Sequence, residues 1–259
     1  VEFVSANPTG PLTVGHGRQA VLGDVVARIL EWNGYAVERE YYYNDAGRQM
    51  RLLGESVRAR YLEITGEKGE FPEGGYEGEY IREIAQKIYD EKGETLKDET
   101  EVTTFRDPAE EEIFADIRST VEQLGIHFDS FVNEQRFYDE GSIDEVVGLL
   151  REKGLVYDKE GAVWLKTTEF GKEDDTVLIK SSGEPTYRLP DTAYHRDKVE
   201  RGYDLIVDIF GADHKDTYPD VIAAIGALGY ETNHIRVLIH QFVSLLRDGK
   251  KVKMSTRKA

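Results

Sequence analysis

Cysteine is absent from this chain of 259 residues, which excludes disulfides and zinc sites built on thiolates. No apolar run reaches the length of a bilayer span and no signal peptide is visible, so a cytoplasmic protein without membrane contact is expected. Positive charge is scarce, with 33 Lys and Arg against 50 Asp and Glu and a formal charge of −17. Such a surface repels a polyanion over most of its area, so any nucleic-acid contact must be local or lie elsewhere. The same acidity suits a cationic small substrate, although solubility alone accounts for most surface carboxylates. Internal repeats and low-complexity tracts are also missing. Apolar residues make up 39% of the chain, enough for a core and against global disorder. The length fits one large α/β domain, or a nucleotide-binding domain carrying an insertion. Val1 falls directly in a strand-like run without an initiator methionine, and Ala259 follows a charged loop. The sequence is therefore read as a segment of a longer protein.

The stretch from Glu2 to Arg28, EFVSANPTGPLTVGHGRQAVLGDVVAR, organises the rest. An apolar strand at residues 1–4 turns through Asn7, Pro8, Gly10 and Pro11, passes Gly15-His16-Gly17 and enters a helix over residues 17–33. Its apolar positions are Val21, Leu22, Val25, Val26, Ile29 and Leu30, and Gly34 is placed to end it. A glycine-rich turn leaves unpaired N–H groups at a helix N-terminus, where the helix dipole favours phosphate. The turn is equally compatible with an ordinary strand-to-helix connection. Residues 35–43, YAVEREYYY, read as a second strand and complete a right-handed βαβ unit.

A helix is expected from residue 44 to about 65, then a Gly, Glu and Pro loop over residues 66–78. Helices follow near residues 79–92 and 108–124, the second with Asp107 as N-cap and Pro108 in its first position. Sheet signals resume at residues 127–133, and Ser142 with Glu145 forms a capping box for a helix ending at Gly154. Strands at residues 155–165 and 176–180 around Gly161 suggest a small antiparallel excursion. A helix at residues 191–201, a buried strand at 204–210, a helix at 219–228 closed by Gly229 and a last strand at 235–240 precede a basic tail loop. The expected architecture is a Rossmann-like α/β fold with a parallel sheet. Its first half is residues 1–65, its helical insertion residues 66–126 and its second half residues 127–259.

Two motifs carry chemistry. Pro11-Leu12-Thr13-Val14-Gly15-His16 resembles the His-x-Gly-His signature of class I aminoacyl-tRNA synthetases, with Thr13 in place of the first histidine. Gly15 leaves room for an adenine, and His16 can donate a hydrogen bond to a phosphate oxygen as charge develops. Thr13 can hydrogen-bond but carries no charge. Lys253-Met254-Ser255-Thr256-Arg257-Lys258 resembles the Lys-Met-Ser-Lys loop of the same class. Thr256 replaces the final lysine, so Lys258 is the candidate second cation. Taken alone, the first is a solvated histidine and the second a basic tail; their joint occurrence in order at the two ends of an alternating α/β segment is far more specific. The block from Val1 to Met50, with Tyr43-Asn44-Asp45-Ala46-Gly47-Arg48-Gln49, and the Gly211-Ala212-Asp213-His214 turn are similar to the arginyl branch of this family.

That resemblance implies an aminoacyl-tRNA ligase that makes an arginyl-adenylate from L-arginine and ATP, then charges tRNA(Arg). ATP with Mg²⁺ is then a substrate, and no resident metal is expected. It places Thr13, Gly15, His16, Lys253, Ser255 and Lys258 in catalysis. Pro8, Gly15, His16, Gly211, Asp213, Phe242, Val243, Lys253 and Met254 would contact ATP. Arginine would meet Glu2, Ser5, Asn7, His16, Tyr187, Asp191 and His214, with Glu140 a second acidic candidate. A planar guanidinium is best met by carboxylates, which favours Asp191 for specificity, although Asp191 also suits a helix N-cap. A monomer is expected, with tRNA bound largely by domains outside this segment and needed before arginine is activated. The alternatives are another nucleotidyltransferase of this fold and a non-catalytic nucleotide-binding module.

Overall fold

Small residues on one side of the first helix decide how it packs. In the computed structural model, which describes residues 1–252 and 257, α1 spans Val14–Trp32 and buries Gln19, Ala20, Gly23 and Ala27. Its larger apolar residues point outward: Val21 is 55%, Ile29 56% and Trp32 91% exposed. The apolar spacing thus marks the outer face, because the inner face approaches its neighbours closely and takes alanine and glycine. The helix also begins three residues earlier than expected, with Thr13 at its N-cap.

The described residues fall into two compact units, one of residues 4–131 with those from 242 onward, the other of residues 1–3 and 132–241. In the first, β1 (Glu40–Tyr43) is shorter than the nine residues expected and lies beside the start of β2 (Ser130–Asn133). Tyr41 is fully buried against Phe114, Phe128 and Phe131. Then α2 (Gly47–Ile64) packs on α3 (Glu79–Lys92) and α4 (Thr103–Gln123). Helix α4 starts five residues before Pro108, so Asp107 is no cap. Burial of Phe105 and tight packing on α2 draw in the extra turn: a Cβ at Gly54 would lie 2.6 Å from Val102 Cγ1.

In the second unit, a short helix α5 (Gln135–Asp139) escaped the sequence reading, and α6 (Ser142–Glu152) takes Gly141 rather than Ser142 as its N-cap. β3 (Val156–Lys159), β4 (Ala162–Leu165) and β5 (Thr176–Ile179) form the antiparallel excursion in that order. Next come α7 (Arg188–Glu200), β6 (Ile206–Gly211), α8 (Tyr218–Leu228) and β7 (Ile235–His240). β6 and β7 pair in parallel from Ile206 against Ile235 to Gly211 against His240. The expected first strand is reduced to one parallel bridge, Glu2 with Asp208, held by Glu2 N–H to Val207 O (2.8 Å) and Ile209 N–H to Glu2 O (3.0 Å). Val4 and Ser5 then adopt φ of 67° and 45°, which no strand can continue.

Back in the first unit, the tail is a hairpin rather than a loop. β8 (Leu245–Arg247) pairs antiparallel with β9 (Lys250–Val252) across Asp248 and Gly249, both left-handed at φ 51° and 74°. Two consecutive positive φ values match the right-handed twist of a two-residue turn, and Asp-Gly supplies them cheaply. No helix among the described residues is long and apolar enough to cross a membrane.

Candidate active site

Within the unit of residues 4–131, the loop ahead of α1 is stapled by neutral hydrogen bonds. The Tyr41 hydroxyl donates to Ala6 O (2.8 Å) and accepts from Ala6 N–H (3.1 Å). Burial holds that phenol well above its ordinary range, so it stays neutral. Ser5 Oγ accepts from Tyr42 N–H (3.1 Å), and Asn7 Oδ1 accepts from Asn44 N–H (3.0 Å). Asn7 Nδ2 in turn donates to Gln49 Oε1 (3.3 Å). The two resemblance-bearing segments, Ser5 to Asn7 and Tyr43 to Gln49, are thus one structure. Pro8 is buried beside them.

Thr13 acquires a role here that its sequence left unexplained. Its backbone N–H donates to His16 Nδ1 (3.0 Å), and its hydroxyl lies 3.4 Å from the same nitrogen. With Nδ1 accepting, the imidazole proton sits on Nε2, which leaves a donor directed away from the cap. Burial lowers the His16 pKa, so this ring is a neutral, oriented donor at the N-terminus of α1. Gly15 lies in the same turn, where an added Cβ would come within 3.3 Å of Thr13 Oγ1.

The unit of residues 1–3 and 132–241 is built on charge. Asp208, in the middle of β6, is fully buried; its Oδ1 accepts from Lys198 Nζ (2.6 Å) and its Oδ2 lies 3.1 Å from His195 Nε2. Burial alone would raise the Asp208 carboxyl, but Lys198 and His195 outweigh it and hold the group well below the usual range. Lys198 Nζ also donates to Glu2 Oε2 (2.5 Å), so Glu2, only 4% exposed, is committed to Lys198. His195 Nδ1 lies 2.8 Å from the backbone oxygen of Asp191.

Asp191 sits in the first turn of α7, four residues inside the N-cap Tyr187, so it is not the cap itself. Desolvation is the main cause that pushes its carboxyl up to about 7, with His195 opposing and Glu134 and Glu2 adding to the rise. Tyr187 is 78% exposed. At the carboxyl ends of the parallel strands, where open α/β sheets bind ligands, Gly211 pairs with His240. A Cβ at Gly211 would meet Asp213 Oδ1 at 2.5 Å, and His214 stacks on Phe210 at 4.8 Å. Glu140 is spent on Arg136 (3.0 Å).

Phe242 and Val243 lie between β7 and β8, with Phe242 exposed. Lys253, Met254, Ser255 and Lys258 lie outside the described residues; Arg257, beside them in sequence, is placed, its carbonyl accepting from Glu77 N–H (2.7 Å) and its guanidinium 5.6 Å from the Tyr76 ring centroid. Sequence reasoning passed over His195, Lys198 and Asp208. The signal was an aspartate inside the apolar run DLIVDIF, since a charge in a buried strand must find a partner. Among the described residues no group of three or more His, Asp or Glu side chains is arranged to hold a metal ion.

A family profile described as "tRNA synthetases class I (R), catalytic domain" matches residues 1–259. The chain is 62% identical over 259 residues to an arginine–tRNA ligase of Desulfotalea psychrophila, covering all of this chain and 47% of the relative. Against the arginine–tRNA ligase of Salinibacter ruber the identity is 54% over 275 residues, covering 100% and 49%. A Campylobacter jejuni crystal structure, solved as a candidate arginyl-tRNA synthetase, is 39% identical with a TM-score of 0.89, covering 98% of this chain and 56% of that one. The chain spans about half the length of the curated relatives it matches.

Proposed function

We propose that this chain, which belongs to the family of class I arginyl-tRNA synthetase catalytic domains, carries the activating and transfer chemistry of an arginine–tRNA ligase. In the first step an arginine carboxylate oxygen attacks the α-phosphorus of ATP, the bond to the β-phosphate breaks, and pyrophosphate leaves. In the second, a terminal ribose hydroxyl of tRNA(Arg) attacks the adenylate carbonyl and AMP leaves. Neither step calls for a protein nucleophile. Positioning and charge stabilisation would supply most of the acceleration.

The observation that carries this reading is the Thr13–His16 arrangement, which presents a neutral Nε2–H donor at a helix N-terminus. His16 would donate to a phosphate oxygen as negative charge builds, with Thr13 fixing its tautomer and Gly15 leaving space for the nucleotide. Pro8 would line the nucleotide, Asp213 and Gly211 would meet its ribose, and backbone groups at Phe242 and Val243 its adenine. Lys253 and Lys258, with Met254 and Ser255, would serve the leaving pyrophosphate. Mg²⁺ enters with the nucleotide, whose phosphate oxygens are its preferred hard ligands. Asp191 and Tyr187 would take the guanidinium, Ser5 and Asn7 the α-amino end, and His214 the amino-acid side. Glu2 supports this pocket from behind Lys198. A cytoplasmic monomer, with tRNA held largely by the rest of the full-length protein, completes the reading.

Arginine- and tRNA-dependent exchange of pyrophosphate into ATP, measured on the full-length protein, tests it. Exchange is expected, and its absence from a folded protein overturns the assignment. Asp191→Lys should abolish arginine binding while ATP binding persists; unchanged arginine affinity would remove Asp191 from the pocket.

A further inference from the structure

Three acidic side chains meet along two successive turns of α7, and only one of them has an open face. Glu2 and Asp208 are 4% and 0% exposed, and the ammonium of Lys198, itself 3% exposed, bridges them at 2.5 and 2.6 Å. Lys198 Nζ also stands 4.1 Å from the Tyr194 ring centroid, which closes it off from water. Asp191 is partly exposed, and among the described residues no ion pair or side-chain hydrogen bond reaches its carboxylate. His195 ties the layers together, with Nδ1 against the Asp191 backbone oxygen at 2.8 Å and Nε2 against Asp208 at 3.1 Å. Both neighbours are acceptors, and the ring links them across 2.8 and 3.1 Å.

We propose that Lys198 is a positioning residue for amino-acid recognition: by pairing with both Glu2 and Asp208 and anchoring the first turn of α7 through Asp208 and His195, it leaves Asp191 as the carboxylate offered to a singly charged, planar cation. The inference rests on the reading of Asp191 as the guanidinium partner. Without Lys198 the two buried acids would compete for protons and place uncompensated negative charge behind Asp191, which raises the cost of ionising it. The pocket would then bind its cation through a carboxylate that is protonated for more of the time.

The groups around Asp191 make the effect directional. From its own helix come His195 and Lys198, from the N-terminal segment Glu2, and from the α5 region Glu134 and Tyr138, while Asp208 on β6 is paired with Lys198 and His195. On α6, Glu145 pairs with Arg196 (2.8 Å) and Arg151 with Asp158 (2.7 Å), and on α8, Asp220 pairs with Arg188 (2.6 Å) and Lys172. With the Asp191 carboxyl near 7, arginine KM in the native protein should rise as pH falls below that value.

The test is the pH profile of arginine KM and ATP KM in the full-length enzyme for Lys198→Met, Lys198→Arg and Glu2→Gln. Lys198→Met removes a cation and should move the arginine midpoint upward by about one pH unit, roughly fivefold in arginine KM at pH 7, with ATP KM unchanged. Glu2→Gln removes an anion and should move the midpoint downward, and Lys198→Arg should restore it. Structural damage has no reason to produce opposite shifts. If Lys198→Met does not fold, Glu2→Gln and Lys198→Arg still decide. Midpoints that stay fixed, or arginine and ATP constants that move together, overturn the role of Lys198. Should Asp191→Lys leave arginine binding intact, the underlying reading of the pocket fails instead.

Discussion

The two units solve the same problem, fixing their connecting segments, with opposite materials. Residues 4–131 use neutral groups: Tyr41 on Ala6, Asn7 on Asn44, and Thr13 on His16. Residues 132–241, with Glu2, use formal charges sealed from water: Lys198 between Glu2 and Asp208, and His195 on Asp208. Neutral hydrogen bonds add modest stability each and barely respond to pH. Buried ion pairs add little over an apolar core, yet losing one partner strands a charge. Under the proposed function, the neutral scaffold would present oriented dipoles to a polyphosphate, and the charged one would fix the sign and number of charges offered to a cation.

The sharpest way to break this contrast is Asp208→Ala, which leaves Lys198 and His195 facing a buried void. It should cost about 3–5 kcal/mol, read by chemical denaturation, and a loss below 1 kcal/mol would mean the pair is not a buried charge network in solution. Tyr41→Phe probes the neutral side. It removes the hydroxyl from Ala6 and should cost about 1–3 kcal/mol, with the same value at pH 6 and pH 8; a strong pH dependence would contradict the neutral character of that scaffold.

The smallest effect sharpens the comparison where the neutral unit departs from its own rule. Burial, reinforced by Asp45, pushes the Glu110 carboxyl up to about 7 from 4.5. An acid with a raised folded pKa binds its proton more tightly when folded, so its stabilising share is full below pH 4.5 and erodes as pH rises through about 7. Glu110→Gln should flatten that decline in melting temperature, and an unchanged slope would assign the decline to other groups.

Much of the fold was legible because periodicity and punctuation agree locally. β7 falls at residues 235–240 as read, and Gly229 closes α8. Where the reading slipped, a tertiary cause is visible. The apolar positions of α1 marked the helix but not its inner face, where close packing selected Gly23 and Ala27. Asp-Gly between Leu-Leu-Arg and Lys-Lys-Val is a hairpin signal that the basic character of the tail obscured. In the candidate site, the motif singles out Gly15 and His16. The tautomer of His16 could not be read from it, since it depends on a backbone N–H at Thr13. The ion pair of Glu2 with Lys198 was not legible either, because the two residues lie 196 positions apart in the chain.

The outward position of Trp32 has an optical consequence. The chain has two tryptophans, one in each unit: Trp32 on α1, 91% exposed, and Trp164 in β4, partly buried with Nε1 donating to Lys159 O (3.3 Å). An indole already in water changes its emission little when the chain unfolds, whereas one lifted out of a sheet shifts to longer wavelength. Intrinsic fluorescence of this segment therefore follows the loss of the β3–β5 sheet and is nearly blind to the melting of α1, so a single emission trace would make two units look like one.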